Sequence, residues 1–168
     1  MPKTSLVLGG ARSGKTAYAL TLASPPRTYV ATATAGDEEM QARIAAHQAE
    51  RDADWRLIEA PTDLAKALAD VSEGTIVVDC LTLWLSNLMA EDRDVDAEAE
   101  ALVAAIRVSA ADIVFVSNEI GMGLVPMDAL SRQFRDAQGR LNQQLAQASD
   151  LAVFVIAGLP QVLKGTLP

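Results

Sequence analysis

The chain has 168 residues, half of them hydrophobic, and carries 22 acidic against 14 basic residues for a net charge of −8. A chain of this length is most simply one domain with a single substantial core. The charge disfavours a general nucleic-acid binder, which needs clustered Lys and Arg, and no apolar run approaches the roughly 18 residues of a membrane span.

A glycine-rich segment near the N-terminus matches the phosphate-binding pattern G-x-x-x-x-G-K-[ST] at every fixed position. It consists of Gly9, Gly10, Ala11, Arg12, Ser13, Gly14, Lys15 and Thr16. The flanks fit as well, because residues 3–8 predict a strand and residues 14–23 predict a helix. In such a loop, backbone N–H groups favour an anion, Lys15 contacts the β- and γ-phosphates, and the Thr16 hydroxyl binds Mg²⁺. A mere glycine turn that carries a lysine does not explain these flanks, so the sequence predicts a nucleoside triphosphate site.

Residues 28–31 predict a second strand, and the proline pair at 25–26 ends the helix between the two strands. A strand–helix–strand unit of this kind implies a parallel sheet. The pattern indicates an α/β fold of the P-loop NTPase type (RecA-like), a mostly parallel sheet flanked by helices in a single domain over residues 1–168. Residues 32–36 are small and polar and follow the second strand at the carboxyl edge of the sheet, where such sheets bind ligands.

The only histidine, His47, falls within a helix predicted at 37–51. It follows Ile44 by three residues and therefore lies on the more apolar side of that helix. The spacing alone favours a half-buried histidine without chemistry and leaves a functional role open.

A β-branched run at 75–79 predicts a buried parallel strand that ends on Asp79. Such a strand carries the acid to the carboxyl edge of the sheet, where it could position Mg²⁺ beside Thr16 as a Walker-B residue does. Alternatively, Asp79 caps the helix predicted from Leu81; the phosphate loop favours the metal role. Cys80 is the only cysteine, so an intramolecular disulfide is impossible and a cysteine-built zinc site is disfavoured, which suits the cytoplasm.

The other predicted elements continue the alternation of strands and helices. They are a short, possibly edge, strand at 55–59, helices at 63–71 and 81–90, a helix ending near 108, strands at 112–117 and 151–156, a helix at 128–148, and a tail at 158–168 that could return as an edge hairpin. Trp84, on the helix at 81–90, is expected in the core rather than under a ligand.

The loop at 118–126 lies at the same edge as the phosphate loop, and its two glycines and one proline predict a defined conformation. The long helix after it has an apolar stripe at helical spacing, formed by Leu130, Phe134, Ala137, Leu141, Leu145 and Ala148. The arginines of this helix lie off the stripe and are either solvated or functional. The sequence leaves open the roles of Asn118, Glu119, Arg132, Arg135 and Arg140.

Two classes of phosphate-loop protein do not fit the sequence. A regulatory GTPase would have a glycine shortly after Asp79, where this chain has Cys-Leu-Thr, and an Asn-Lys-x-Asp motif, which the sequence lacks. A motor ATPase would need polymer-binding loops or a coupling domain, for which 168 residues leave little room. A small kinase or a nucleotidyltransferase remains.

Several segments together carry a more specific signal than the phosphate loop alone. They are 9–16, 31–33, Arg43-Ile44 with His47, 55–59, 116–126, 134–136 and 139–143. In these segments the chain resembles the bifunctional adenosylcobinamide kinase / adenosylcobinamide-phosphate guanylyltransferase family of cobalamin biosynthesis. The similarity runs over nearly the whole chain, and its most specific part is 116–126, Val-Ser-Asn-Glu-Ile-Gly-Met-Gly-Leu-Val-Pro.

The resemblance implies an enzyme that phosphorylates the aminopropanol hydroxyl of adenosylcobinamide with ATP or GTP. The enzyme then transfers GMP from GTP to that phosphate and releases pyrophosphate. His47 would carry the guanylyl group, while Lys15 and Arg12 would neutralise developing charge. The implied nucleotide contacts are residues 9–16, Ala31, Thr32, Ala33, Glu50, Arg51, Asp52, Ala53, Glu59 and Asp79. The resemblance also implies Mg²⁺ on Thr16 and Asp79, and a homo-oligomer, namely a trimer. The alternative is a P-loop small-molecule kinase with a purely structural histidine.

Overall fold

A computed structural model describes residues 3–34 and 54–168. Seven strands in these residues form one sheet, in the order β3-β2-β4-β5-β1-β6-β7. The strands are β1 (Thr4–Gly9), β2 (Arg27–Ala31), β3 (Trp55–Glu59), β4 (Thr75–Asp79), β5 (Asp112–Asn118), β6 (Leu151–Ile156) and β7 (Leu159–Lys164). The described helices are α1 (Lys15–Thr21), α2 (Leu64–Ala69), α3 (Leu81–Ala90), α4 (Val95–Val108) and α5 (Ala129–Ala148).

The sheet is parallel from β3 to β6, and only β7 runs antiparallel to its neighbour β6. The carboxyl ends of the parallel strands therefore meet along one edge. The phosphate-loop strand β1 lies between β5 and β6, and β5 separates it from β4, which ends on Asp79. This order brings the loops after β1, β4 and β5 side by side.

Alternating strand residues supply two separate cores, because successive side chains of a strand point to opposite faces of the sheet. On one face, strand residues such as Leu6 and Phe115 pack against α2, α3, α4 and α5. On the other face, residues such as Val7 and Val114 pack against α1. Trp84 is buried in the first core and its indole N–H donates a 2.6 Å hydrogen bond to the carbonyl of Thr62, so the expected core position is confirmed.

The predicted elements that fall on described residues are confirmed to within about two residues at each end, including the edge position of β3 and the edge hairpin formed by β7. The helix predicted at 37–51 lies outside the described residues. One prediction on α5 is wrong: the apolar stripe does not extend to Leu130, which is 65% exposed, because α5 begins beyond the body of the protein and packs only from Phe134 onwards. Within the described residues, no helix is both long and apolar enough to cross a membrane.

Candidate active site

The phosphate loop connects β1 to α1 and adopts a conformation that requires glycine at two positions. A Cβ on Gly9 would clash with Ser13 Oγ and lie 2.8 Å from the carbonyl oxygen of Val155, so a side chain there has no room. Gly14 has φ +92°, a left-handed conformation that favours glycine. The sequence pattern and the backbone geometry therefore agree on a tight anion-binding turn.

Neighbouring strands brace this loop on both sides. The N–H of Gly158, in the turn between β6 and β7, donates a 2.8 Å hydrogen bond to the carbonyl of Ser13. On the other side, the N–H of Glu119 donates a 3.1 Å hydrogen bond to the carbonyl of Gly9. The hydroxyl oxygen of Ser13 is buried and has no hydrogen-bond partner among the residues described. Since buried hydroxyls normally have a partner, this atom suits a site whose ligand completes it.

Lys15, the first residue of α1, is half-buried, and its Nζ donates a 3.0 Å hydrogen bond to the carbonyl of Gly10. Burial lowers the pKa of the Lys15 ammonium below its ordinary value, while Cys80 and Asp79 oppose that shift. Burial, followed by the charge of Asp79, raises the pKa of the Cys80 thiol to about 11. The thiol is therefore neutral near pH 7, and the carboxylate of Asp79 is the negative charge that favours the charged form of Lys15.

Asp79 is the last residue of β4, and its Oδ2 accepts a 2.8 Å hydrogen bond from the hydroxyl of Tyr29 on the adjacent strand β2. The N-cap of α3 is Cys80, and no side chain caps that helix end. The helix-capping alternative for Asp79 therefore lacks the hydrogen bond that it requires, and the carboxylate is held at the sheet edge instead.

The oxygen donors at this edge suit Mg²⁺ rather than an ion that takes all its ligands from protein side chains. Among residues 3–34 and 54–168, no group of three His, Cys, Asp or Glu side chains forms a complete metal site. Asp79 offers a carboxylate and Thr16, in the first turn of α1, offers a hydroxyl. Mg²⁺ prefers oxygen donors and usually keeps water and phosphate ligands beside one or two protein groups, so this donor set fits it.

Thr32, predicted as a nucleotide contact, is fully buried and joins the ends of β2 and β4. Its hydroxyl donates to the carbonyl of Cys80 and accepts from the N–H of Cys80, both at 2.8 Å. Its carbonyl accepts a 2.8 Å hydrogen bond from the amide of Asn87. Thr32 therefore fixes the adjacent Ala31 and Ala33 at the sheet edge. Its own hydroxyl is hydrogen-bonded to the backbone of Cys80.

The structure brings most of the predicted site residues that it describes to one edge. Ala31 is in register with Asp79 on one side and with Glu59, at the exposed end of β3, on the other. Arg12 is exposed in the phosphate loop with φ +54°. The other predicted site residues, His47, Glu50, Arg51, Asp52 and Ala53, lie outside the described residues, so their roles stay predictions.

Sequence reasoning missed a buried polar network behind this edge, between β5 and α5. Ser117 and Gln138 are fully buried, and Asn142 is nearly so. The Oδ1 of Asn142 accepts from the Ser117 hydroxyl at 2.7 Å and from the Gln138 amide at 3.0 Å, while its Nδ2 donates to the carbonyl of Asn118 at 3.1 Å. The N–H of Asn118 donates to the Thr82 hydroxyl at 2.9 Å. The network thus fixes the end of β5 beside the phosphate loop.

Comparison with known proteins places these features in a family. A family model described as "Cobinamide kinase / cobinamide phosphate guanyltransferase" matches residues 5–163. The chain is 46% identical over 167 residues to the bifunctional adenosylcobalamin biosynthesis protein CobP of Pseudomonas aeruginosa, with 95% of this chain and 96% of that protein covered. It is 38% identical over 178 residues to the bifunctional adenosylcobalamin biosynthesis protein CobU of Salmonella typhimurium, with 95% and 98% covered.

Solved structures show the fold alone, since their sequence identities are low. The flagellar accessory protein FlaH from Methanocaldococcus jannaschii matches with a TM-score of 0.54 at 14% identity, over 98% of this chain and 79% of that one. The P4 protein of bacteriophage phi6, solved in complex with ADP, matches with a TM-score of 0.51 at 15% identity, over 95% and 54%. These matches confirm the predicted α/β fold, a mostly parallel sheet flanked by helices.

Proposed function

The chain belongs to the cobinamide kinase / cobinamide phosphate guanyltransferase family, and we propose that it catalyses both reactions of that family. In the first, it phosphorylates the aminopropanol hydroxyl of adenosylcobinamide with ATP or GTP. In the second, it transfers GMP from GTP to that phosphate, which gives adenosylcobinamide-GDP and pyrophosphate. The observation that carries this proposal is the phosphate loop, braced by β5 and β6 and placed beside Asp79, in a chain that matches the family model over residues 5–163.

One phosphate loop serves both steps in this proposal. The backbone N–H groups of residues 9–16 hold the triphosphate, and Lys15 lies between phosphates whose charge increases in the transition state. Arg12 is exposed on the same loop and adds a second positive charge. The hydroxyl of the corrinoid attacks the γ-phosphorus in the kinase step, and the nucleoside diphosphate leaves with the electron pair of the broken P–O bond.

Thr16 and Asp79 would hold Mg²⁺ at this site. When bound, the ion neutralises charge on the phosphates and polarises the phosphoryl oxygens. The Tyr29 hydroxyl occupies Asp79 Oδ2 and thereby fixes the orientation of the carboxylate. The remaining lone pairs of this carboxylate, together with the Thr16 hydroxyl, are the oxygen donors that the chain itself contributes.

His47 carries the guanylyl group in the second reaction. A neutral imidazole is a competent nucleophile near pH 7. Its nitrogen attacks the α-phosphorus of GTP and pyrophosphate leaves; an oxygen of the corrinoid phosphate then attacks the same phosphorus and releases the imidazole. A small-molecule kinase in which His47 is purely structural is the alternative, and it would stop after the first reaction.

Further nucleotide contacts follow from the family resemblance. They are Ala31, Thr32, Ala33, Glu50, Arg51, Asp52, Ala53 and Glu59. Support comes from the register that aligns Ala31 with Asp79 and Glu59 across the sheet edge. We treat residues 1–168 as one catalytic domain, because strands from Thr4 to Lys164 share a single sheet.

The protein acts as a homo-oligomer, a trimer by family resemblance, in the cytoplasm and without a nucleic-acid partner. Support for self-association comes from the edge strand β7, where Leu159, Val162 and Leu163 are exposed. An edge strand with exposed apolar side chains is a surface that proteins usually cover. Light scattering should give a mass three times the 17.8 kDa of one chain.

Chromatography of the corrinoid after incubation with adenosylcobinamide, ATP, GTP and Mg²⁺ tests the function. We expect two successive products, the phosphate and then the GDP derivative, with one pyrophosphate released for each GDP derivative. Accumulation of the phosphate alone would favour the plain kinase, and an unchanged corrinoid would refute both activities.

A further inference from the structure

The segment 121–130 presents a cluster of exposed apolar side chains beside the active site. Leu124 and Met127 are each 96% exposed, and Met122, Val125 and Leu130 are exposed as well. Single exposed apolar residues are ordinary, but five of them within residues 122–130 are typical of a binding surface. We refer to these five side chains as the apolar platform.

The backbone that carries the apolar platform is fixed by hydrogen bonds. Arg135 donates to the carbonyls of Gly121 at 2.6 Å and Gly123 at 3.4 Å, and Arg132 donates to the carbonyls of Pro126 at 3.0 Å and Met127 at 2.6 Å. Two arginines that the sequence left open as solvated or functional therefore organise this loop. A surface held in this way loses less conformational entropy when it binds a ligand.

The loop begins at the phosphate site itself. The N–H of Glu119 bonds to Gly9 in the phosphate loop, and Asn118 is in register with the same glycine. Glu119 Oε1 in turn accepts a hydrogen bond from the N–H of Gly121. Residues 119–121 therefore join the apolar platform to the phosphate loop through hydrogen-bonded backbone.

A cleft of about 570 Å³ separates the loop from α5. Most of the residues that line it are polar or charged. They are Gly121, Val125, Arg132, Arg135, Asp136, Gly139, Arg140 and Gln143. Arg140 makes no hydrogen bond or ion pair with any part of the chain that is described. A Cβ on Gly139 would meet no atom within 4 Å, so the cleft is open at this lining residue. The cleft therefore offers hydrogen-bond donors to a ligand that already rests on apolar side chains.

We propose that the apolar platform and this cleft dock the corrinoid substrate, an inference that rests on the proposed function. The corrin macrocycle has two broad, methyl-bearing apolar faces and a periphery of carboxamide arms. One face would cover the platform, and carboxamide carbonyls would accept hydrogen bonds from Arg140 and Gln143 in the cleft. The acceptor arm that carries the hydroxyl would then extend along 118–121 towards the γ-phosphate.

Two sets of variants test this docking site in the full-length protein. The double variant Leu124→Ser/Met127→Ser removes the centre of the platform without touching the core, because both side chains are almost fully exposed. Gly139→Leu places an apolar side chain in the lining of the cleft, at a position where a Cβ would meet no atom within 4 Å. Matched controls on α4 are Val108→Ser, which is 83% exposed, and Ala104→Leu, which is exposed as well.

The measurements are KM for adenosylcobinamide and for GTP in the kinase step, labelling of the protein by GTP alone, and mass by light scattering. We expect KM for the corrinoid to rise about 10-fold or more, the usual effect of altering apolar pocket contacts, while the other readings and both controls stay unchanged. An unchanged corrinoid KM, with labelling by GTP intact, would overturn the docking site and leave the proposed function standing. A change in mass would show instead that copies of the chain meet at this surface, and would overturn the docking site too. Absence of corrinoid turnover in the wild type would refute the proposed function and this inference together.

Discussion

The hydroxyl of Tyr29 donates a 2.8 Å hydrogen bond to Asp79 Oδ2 across the β2–β4 pair. This contact holds the only carboxylate of β4 at the carboxyl edge of the sheet, beside the phosphate loop. A carboxylate with one oxygen fixed by a hydrogen-bond donor presents its other oxygen in a defined direction. Variants of Asp79 and Tyr29 therefore test whether the activity depends on Mg²⁺ bound at this carboxylate.

Asp79→Asn should raise the Mg²⁺ concentration needed for half-maximal kinase rate, because a neutral amide oxygen is a weaker ligand for Mg²⁺ than a carboxylate. The melting temperature should change little, since no side chain caps α3 at this position. Tyr29→Phe should give a smaller shift in the same direction through loss of orientation. An unaltered Mg²⁺ dependence in Asp79→Asn, with a lower melting temperature, would contradict the metal role.

Lys15→Ala should reduce both activities by about 10²–10³-fold, the range for removing one well-placed electrostatic group. The reason is that one phosphate loop serves both steps and that Lys15 is already held in it through Gly10. Turnover assays with ATP and with GTP measure the effect, and isothermal titration separates loss of binding from loss of rate. Normal kinase turnover in this variant would refute the shared site.

Asn142→Leu should destabilise the protein, because it removes an acceptor that two buried groups share. The Ser117 hydroxyl would lose its acceptor, at a cost of about 1–3 kcal/mol for a buried group left without a partner. The Gln138 amide would lose one of its two hydrogen bonds and keep the 3.0 Å bond to Ser117 Oγ. Urea denaturation measures the free energy of unfolding. Gln147→Leu, at an exposed position of the same helix, is the control and should change that free energy by less than about 0.5 kcal/mol.

The Cys80 thiol should react slowly with iodoacetamide in the native protein. Its pKa of about 11, raised first by burial, leaves about 100-fold less thiolate at pH 8 than the ordinary value of 9.0 would. Below that pKa the thiolate fraction rises about tenfold for each pH unit, so the alkylation rate should keep rising to about pH 11. A rate that levels off below pH 9, or one that urea does not increase, would contradict the buried neutral thiol.

The extent to which the site could be predicted depends on how local each signal is. The phosphate loop and Asp79 are encoded in short segments, so the sequence alone predicted the position of both at the carboxyl edge of the sheet. The role of Tyr29 depends on the register of β2 against β4, strands whose contacting residues lie 50 positions apart in the chain, and no local pattern states that register. The prediction for Leu130 was wrong because helical periodicity continues past the point at which α5 leaves the core.

A signal for the buried network was present in the sequence. Gln138 and Asn142 are polar residues that lie four apart and directly beside Ala137 and Leu141 of the apolar stripe. Polar side chains on the buried side of a helix must be hydrogen-bonded, which would have predicted a partner on the facing strand. Their partner Ser117 directly follows the apolar residues of β5. The sequence did not show that β5 packs against α5, and this was the one piece of information needed to predict the network.

His47 should become guanylylated by GTP and Mg²⁺ in the absence of the corrinoid, because the first half of the transfer needs only nucleotide and metal. Intact-mass spectrometry should show a gain of one GMP, and peptide mapping should place it on His47. A phosphoramidate of histidine should survive alkali and break down in mild acid, unlike a phosphoester of serine or threonine. His47→Asn should lose GMP transfer and keep kinase activity, since γ-phosphoryl transfer to a hydroxyl depends on the phosphate loop and Mg²⁺. Gln48→Asn, next to it in the chain, is the matched control and should keep both activities. A protein that gains no GMP, or that carries it on a peptide without residue 47, would show that the histidine does not carry the guanylyl group.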